Sequence, residues 1–424
     1  MQLGQIAKKA IKGHLCVDKL LNVIGITVFD DIVKQLNADK WVIKYETMTI
    51  FKLVLYSQLE SERLSLRVME THAKDPMFEA LLSEGQEGGI SYTNIRNRLQ
   101  SIDARFFEKA YGATKEAINK HYSSQEQADF KIKRYDSTMI ATFSHLLQGM
   151  KVGNTSKNKT QVKLVTELSN DFDIRMNFHS DQAHLSEETA LGEMIKRSFH
   201  SAKDLIVFDR GLKKRATFVE FDKMEINFVT RLADLARFKF ISEHSDVSKI
   251  EDKKLTFIQD SIVHLYGDGG KLIEYPFRLI EMVRNSDQQK IILLTNLTDN
   301  ERIDTLNGIK NDENDAIYMT TEQIANIYKH RWDIEVLFRF LKQEMNLCHF
   351  VSNDNNAIMA IIYCTLILAM LILVYKKVNC IKSYKLAKIQ FGIDLRNGIL
   401  LEIMEDPVKM ALFKEALEKF KRSV

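Results

Sequence analysis

The run Tyr328-Lys329-His330-Arg331-Trp332-Asp333-Ile334-Glu335-Val336-Leu337-Phe338-Arg339-Phe340-Leu341-Lys342 carries the clearest chemistry in the chain. At about 100° per residue, Tyr328, Arg331, Glu335 and Lys342 share one narrow sector of a helix. The neighbouring sector holds Ile327, Ile334, Leu337, Phe338, Leu341 and Met345. One side therefore packs, while the next presents a phenol, two cations and a carboxylate together. Such a group suits a phosphodiester: Arg forks onto phosphate oxygens, Lys adds positive charge, and the carboxylate binds a hard cation. Periodicity alone favours a plainer reading, a surface helix laced with i, i+4 ion pairs.

A helix carrying this group needs a start. Thr320-Thr321-Glu322-Gln323 has the spacing of a capping box and predicts one there, after a polar segment from Thr298 to Asp315. Upstream, Ile226 to Leu297 is strand-like, with Val263 to Tyr266 and Leu272 to Tyr275 joined through Gly267-Asp268-Gly269-Gly270 as a hairpin. Further strand-like runs are Phe130 to Ile140, Val162 to Leu168, Asp173 to Phe178 and Leu205 to Phe208. Between the last two, Ser186-Glu187-Glu188-Thr189 reads as an N-cap with acidic first-turn residues. It is followed by the helical stripe Ala190, Leu191, Met194, Ile195 and Phe199.

Before the polar break Ser123 to Gln127 the pattern is helical throughout. There, Ile90 to Leu99 reads either as a recognition helix or as an ordinary surface helix. The expected order is a helical domain over residues 1–125, a central α/β domain over 126–350 with a β-rich insertion at about 226–300, and a helical region over 351–424.

With 424 residues, 45% of them hydrophobic and 28% charged, the chain can bury two or three cores. Three prolines and 17 glycines leave room for much regular structure, so a helix-rich α/β fold is expected. The net charge of +3 is too small to argue for nucleic acid by itself. Cys16, Cys348, Cys364 and Cys380 form no Cys-x-x-Cys pair, which points to a reducing cytosol rather than a disulfide or zinc framework. Ala357 to Tyr375 is apolar enough to approach the length of a membrane span, and is expected to be a buried core helix with no membrane involved.

Tyr-x-x-Arg-x-x-x-Glu-x-x-x-x-x-x-Lys, here Tyr328, Arg331, Glu335 and Lys342, resembles without a gap the signature of the insertion-sequence-four family of bacterial transposases. Tyr135-Asp136-Ser137-Thr138 resembles the family's first catalytic aspartate in its setting, and Val207-Phe208-Asp209-Arg210-Gly211 its second at a strand end. Asn227 to Leu232 resembles the family's next strand. The resemblance spans roughly Tyr135 to Lys342. It implies an RNase H-like catalytic core with a β-rich insertion between Asp209 and Glu335.

On that resemblance Asp136, Asp209 and Glu335 are the catalytic, metal-binding acids of a DDE transposase performing cut-and-paste transposition. Asp136 would bridge two Mg²⁺ ions, with Asp209 and Glu335 binding one each and Mn²⁺ serving as a substitute. Carboxylates gathered at one point repel unless cations sit between them, and all-oxygen ligands suit Mg²⁺. Tyr328, Arg331, Lys342 and Arg210 would contact DNA, and Trp332 would stack a displaced base unless it packs in the core. Lys131, Lys133, Arg134, Lys213, Lys214 and Arg215 either track the DNA backbone or are solvated surface charges.

The partners implied are double-stranded DNA, as terminal inverted repeats and target, and a second copy when paired ends are bound. The location implied is the bacterial cytoplasm, at the nucleoid. Two other readings stay open: a catalytically silent DNA-end-binding protein, and another RNase H-fold nuclease that cuts without joining. The geometric expectation is that the three acids converge on one side of a mixed sheet of about five strands.

Overall fold

The computed structural model describes residues 17–82, 89–122, 131–142, 150–151, 160–169, 173–201, 203–298, 319–347, 350–352 and 354–423. The chain begins in helices: α1 (Val17–Ile24), α2 (Ile26–Leu36), α3 (Thr47–Glu60), α4 (Leu66–His72), α5 (Pro76–Glu79), α6 (Tyr92–Ser101) and α7 (Ala104–Tyr122). Ser65, Asp75 and Ser91 cap α4, α5 and α6 by accepting first-turn amides. In α6, Ile95 and Leu99 are fully buried, as their i, i+4 spacing requires. The boundary expected at residues 125 and 126 lies outside the described residues.

The strands follow: β1 (Lys131–Thr142), β2 (Met150–Lys151), β3 (Thr160–Ser169), β4 (Asp173–His179), helix α8 (Glu187–Arg197), β5 (Asp204–Phe208), helix α9 (Arg215–Lys223), β6 (Asn227–Arg231), β7 (Phe238–Glu243), β8 (Leu255–Tyr266), β9 (Leu272–Arg284) and β10 (Gln289–Thr295). They form one ten-stranded sheet in the order β2-β3-β1-β5-β6-β10-β9-β8-β7, with β4 also on β3. β1 is antiparallel to β3 and parallel to β5, and β5 is parallel to β6. The expectation of about five strands was too small. Thr295, Leu294 and Leu293 of β10 pair with Val229, Thr230 and Arg231 of β6, so β10, β9, β8 and β7 extend the sheet from β6. The expected hairpin is β8 and β9, turning through Gly269 and Gly270 at φ 69° and 75°, a conformation glycine adopts without strain.

Alternation along the strands divides the sheet into two faces. Tyr135, Val165, Ile206, Phe208 and Phe228 join the α8 residues Ala190, Leu191, Met194 and Ile195 in one core. On the other face, Leu205, Val207 and Val229 pack with Ile324 and Ile327 of α10 (Thr321–Lys329). Also on that face, Ile140, Leu164 and Met176 pack with Ile334, Leu337 and Leu341 of α11 (Trp332–Gln343).

The capping box forms as read, with Thr320 accepting from the Gln323 amide and the Gln323 side chain reaching back. The single helix expected from Thr320 is instead two. The amides of His330 and Arg331 bond three residues back, to Ile327 and Tyr328 at 3.0 Å each. The His330 carbonyl accepts Arg134 Nε at 2.9 Å, and a side chain inserted there interrupts the ladder.

Three helices close the chain: α12 (Asn355–Val378), α13 (Tyr384–Glu405) and α14 (Pro407–Ser423). α12 is the only helix among the described residues long and apolar enough to cross a membrane, and 89% of its most apolar window is buried inside the protein. It packs against α3, α6, α7, α13 and β4 as a core helix. Among the described cysteines, Cys364 and Cys380 are free.

Candidate active site

The parallel pairing of β1 with β5 ends at Tyr135 opposite Phe208. Asp136 is the next residue of β1, and Asp209 is the residue immediately after β5. Tyr135 points into the α8 core, so Asp136 faces the side covered by α10 and α11. Each aspartate is held by the amide that follows it: Ser137 N donates to Asp136 Oδ1 at 2.7 Å, and Arg210 N to Asp209 Oδ1 at 2.8 Å.

The signature residues reach this point from above. Tyr328, near the end of α10, directs its hydroxyl at Asp209 Oδ1, 3.4 Å away. Arg331, in the break between α10 and α11, pairs with Glu335 of α11 at 2.6 Å and lies over the Tyr328 ring. At the far end of α11, Lys342 donates to the Thr138 hydroxyl and, at 3.4 Å, to the Met139 carbonyl. Thr138 is on the same face of β1 as Asp136.

Burial raises the Asp136 carboxyl to about 7, against the Ser137 amide and the Arg331 charge, while Glu187 and Asp209 push it further up. Tyr328 is pushed up to about 12 by burial and the Asp209 charge, so it stays a neutral donor. Arg331 is thus the counter-charge common to the site: it acts on Asp136 and Asp209 and bonds Glu335.

Trp332 is 52% exposed, so it does not pack in the core. Arg210 is exposed beside Asp209. Part of the basic-cluster reading is corrected. Lys133 is buried, with its ammonium on Asp204 at 2.7 Å and the Phe199 carbonyl at 2.6 Å. Arg134 is buried against His330 and Asp333. Alternate positions of a central strand face opposite sides of the sheet, and here both sides are covered. Lys213 and Lys214 remain exposed.

Residues 134–371, more than half of the chain, match the family model described as the transposase DDE domain. The chain belongs to this family. A Sinorhizobium fredii protein carrying a transposase name, y4zB, is 27% identical over 173 residues, 41% of this chain and 43% of the relative. A Synechocystis sp. protein named as a transposase for insertion sequence element IS4SA is 36% identical over 90 residues, 21% of this chain and 26% of the relative. The matched stretches span less than half the length of either relative. A piggyBac transposase, solved by cryo-EM in a synaptic complex with hairpin DNA, aligns over 94% of this chain and 84% of its own, with a TM-score of 0.48 and 11% identity.

Two features around this candidate site escaped the sequence. Glu187 accepts from the Ser137 hydroxyl at 2.9 Å; its only sequence signal was an acidic first turn. Fully buried Arg278 of β9 pairs with Asp260 of β8 at 2.6 Å, donates to the Met319 carbonyl at 2.8 Å, and shares Asp260 with the Thr321 hydroxyl at 2.6 Å. Strands β8 and β9 thereby fix the start of α10. A lone Arg in the apolar stretch Phe277 to Ile280 was the available clue.

Proposed function

We propose that this chain is a DNA transposase that cleaves DNA at transposon ends and transfers the freed strand into target DNA, with Asp136, Asp209 and Glu335 as its catalytic acids. The observation that carries the reading is the adjacency of Asp136 and Asp209 on parallel strands, with Tyr328 reaching Asp209 and Arg331 paired with Glu335 on the helices that cover them. The order β4-β3-β1-β5-β6, antiparallel then parallel, supports an RNase H-like core within residues 126–350. On this reading residues 1–125 form an end-binding domain, and a second copy joins when paired ends are bound in the bacterial cytoplasm.

The donor set fits a hard divalent cation such as Mg²⁺, or Mn²⁺ in its place. It is all oxygen, and half-buried Asp136 has its ionised form under-compensated. Asp136, Asp209 and Glu335 would hold such ions, which would supply activation of the attacking oxygen and stabilisation of the leaving one. The chain's own groups do the rest. Arg331 holds a phosphate oxygen once its hold on Glu335 is relaxed. Tyr328 donates its hydroxyl at Asp209. Lys342 locks α11 to β1 while offering charge to the backbone, and exposed Trp332 and Arg210 receive an unstacked base and a flanking phosphate.

The test is incubation with DNA carrying the element's own inverted repeats and Mg²⁺. Joined strand-transfer products are expected; cleavage without joining would indicate a nuclease, and binding without cleavage a silent end-binding protein.

A further inference from the structure

The first turn of α8 touches both aspartate-bearing segments. From it, Glu187 Oε1 accepts the hydroxyl of Ser137, the neighbour of Asp136, at 2.9 Å. The same carboxylate lies against Gly211, two residues past Asp209: a Cβ on residue 211 would overlap its oxygen and sit 3.2 Å from its Cδ. Gly211 has no left-handed φ, so room for the carboxylate, rather than backbone freedom, is what glycine provides there. Next to it, Glu188 Oε2 accepts the amides of Lys213 and Lys214 at 2.7 and 3.0 Å, and Oε1 the Thr217 hydroxyl at 2.5 Å. Lys214 caps α9 with no side-chain bond of its own, so Glu188 supplies acceptors to orphan amides at that helix start. Behind this turn, Ala190, Leu191, Met194 and Ile195 anchor α8 in the sheet core.

We propose that the first turn of α8 is a clasp that sets the spacing of Asp136 and Asp209, with Glu187 a positioning residue whose carboxylate is the spacer between Ser137 and Gly211. This rests on the two aspartates being ion ligands. A spacer acts through shape, so an isostere should preserve it, while truncation or a methyl group on residue 211 should each release the same constraint.

The experiment is calorimetric titration of the full chain with Mn²⁺, comparing Glu187→Ala, Gly211→Ala, the double variant, Glu187→Gln and Asp136→Asn. Outer-shell partners of metal ligands typically contribute roughly 10–100-fold in affinity. Glu187→Ala and Gly211→Ala are each expected to weaken binding by roughly the lower figure. The double variant should be no weaker than the poorer single one, and Glu187→Gln should bind like the parent. In cleavage assays the Mg²⁺ requirement should rise while the rate at saturating ion is kept.

Unchanged affinity in Glu187→Ala and Gly211→Ala, with binding lost in Asp136→Asn, overturns the clasp alone. Unchanged affinity in Asp136→Asn overturns the ion-ligand reading beneath it. Glu187→Gln as weak as Glu187→Ala overturns the spacer role in favour of charge. Should Glu187→Ala not fold, Gly211→Ala and Glu187→Gln decide the matter.

Discussion

Asp136 and Asp209 each follow directly on one member of the last paired couple, Tyr135 and Phe208, of two neighbouring parallel strands. Neighbouring strands lie roughly 5 Å apart, so residues far apart in sequence are placed side by side by backbone register alone. Glu335 has no such tether and depends on α11 being docked by Arg134 at one end and Lys342 at the other.

Glu335→Gln removes a charge with little change of shape. Cleavage should fall by more than the roughly 10–100-fold typical of outer-shell losses, with end binding retained in a gel-shift assay. Near-parental cleavage in Mg²⁺ would sink the assignment of Glu335.

Arg331→Ala takes away the counter-charge that Asp136, Asp209 and Glu335 share. DNA held near the cut should be lost while Mn²⁺ affinity stays at or above the parental value, because a competing cation is gone. A collapse of ion affinity in calorimetry would show that Arg331 organises the acids instead.

Stability of the ion-free chain should carry a pH signature. With Asp136 raised to about 7, the folded state holds a proton that the unfolded chain has released above the ordinary Asp range. Its contribution is therefore fully present below about pH 4 and is lost as pH rises through about 7. Thermal melts at pH 5 and pH 8 should differ less in Asp136→Asn than in the parent. Equal differences in the two proteins would contradict the half-buried, under-compensated carboxyl.

Asp260→Ala strands the fully buried Arg278 guanidinium. Breaking one side of a buried pair costs about 3–5 kcal/mol, and Thr321 at the start of α10 loses its acceptor as well. Denaturant unfolding should show that loss, with cleavage falling as Tyr328 loses its approach to Asp209. A change under about 1 kcal/mol, the net worth of one ordinary hydrogen bond, would mean the pair is dispensable.

The sequence by itself determined the parts whose cause is local. Helix starts follow from side chains within three residues of the amides they cap, as at Ser91 and Thr320, and the β8–β9 hairpin follows from its glycines. The grouping of Glu335 with Lys342 follows from the fixed angle at which α11 repeats, whereas Tyr328 and Arg331 lie before that helix and were legible only through the resemblance of their spacing. The tertiary structure decided what depends on distant partners. Arg134, from a strand almost two hundred positions away, breaks the helix at His330. The edge of β6 was free to accept β10, which made the sheet larger than the roughly five strands expected. Lys133 and Arg134 are basic by type yet buried by register, and Glu187 sits at the site because α8 docks on the sheet beside Ser137. Periodicity specifies which side of an element is apolar. Which element covers it, and which polar groups that covering brings together, is settled only when the chain packs.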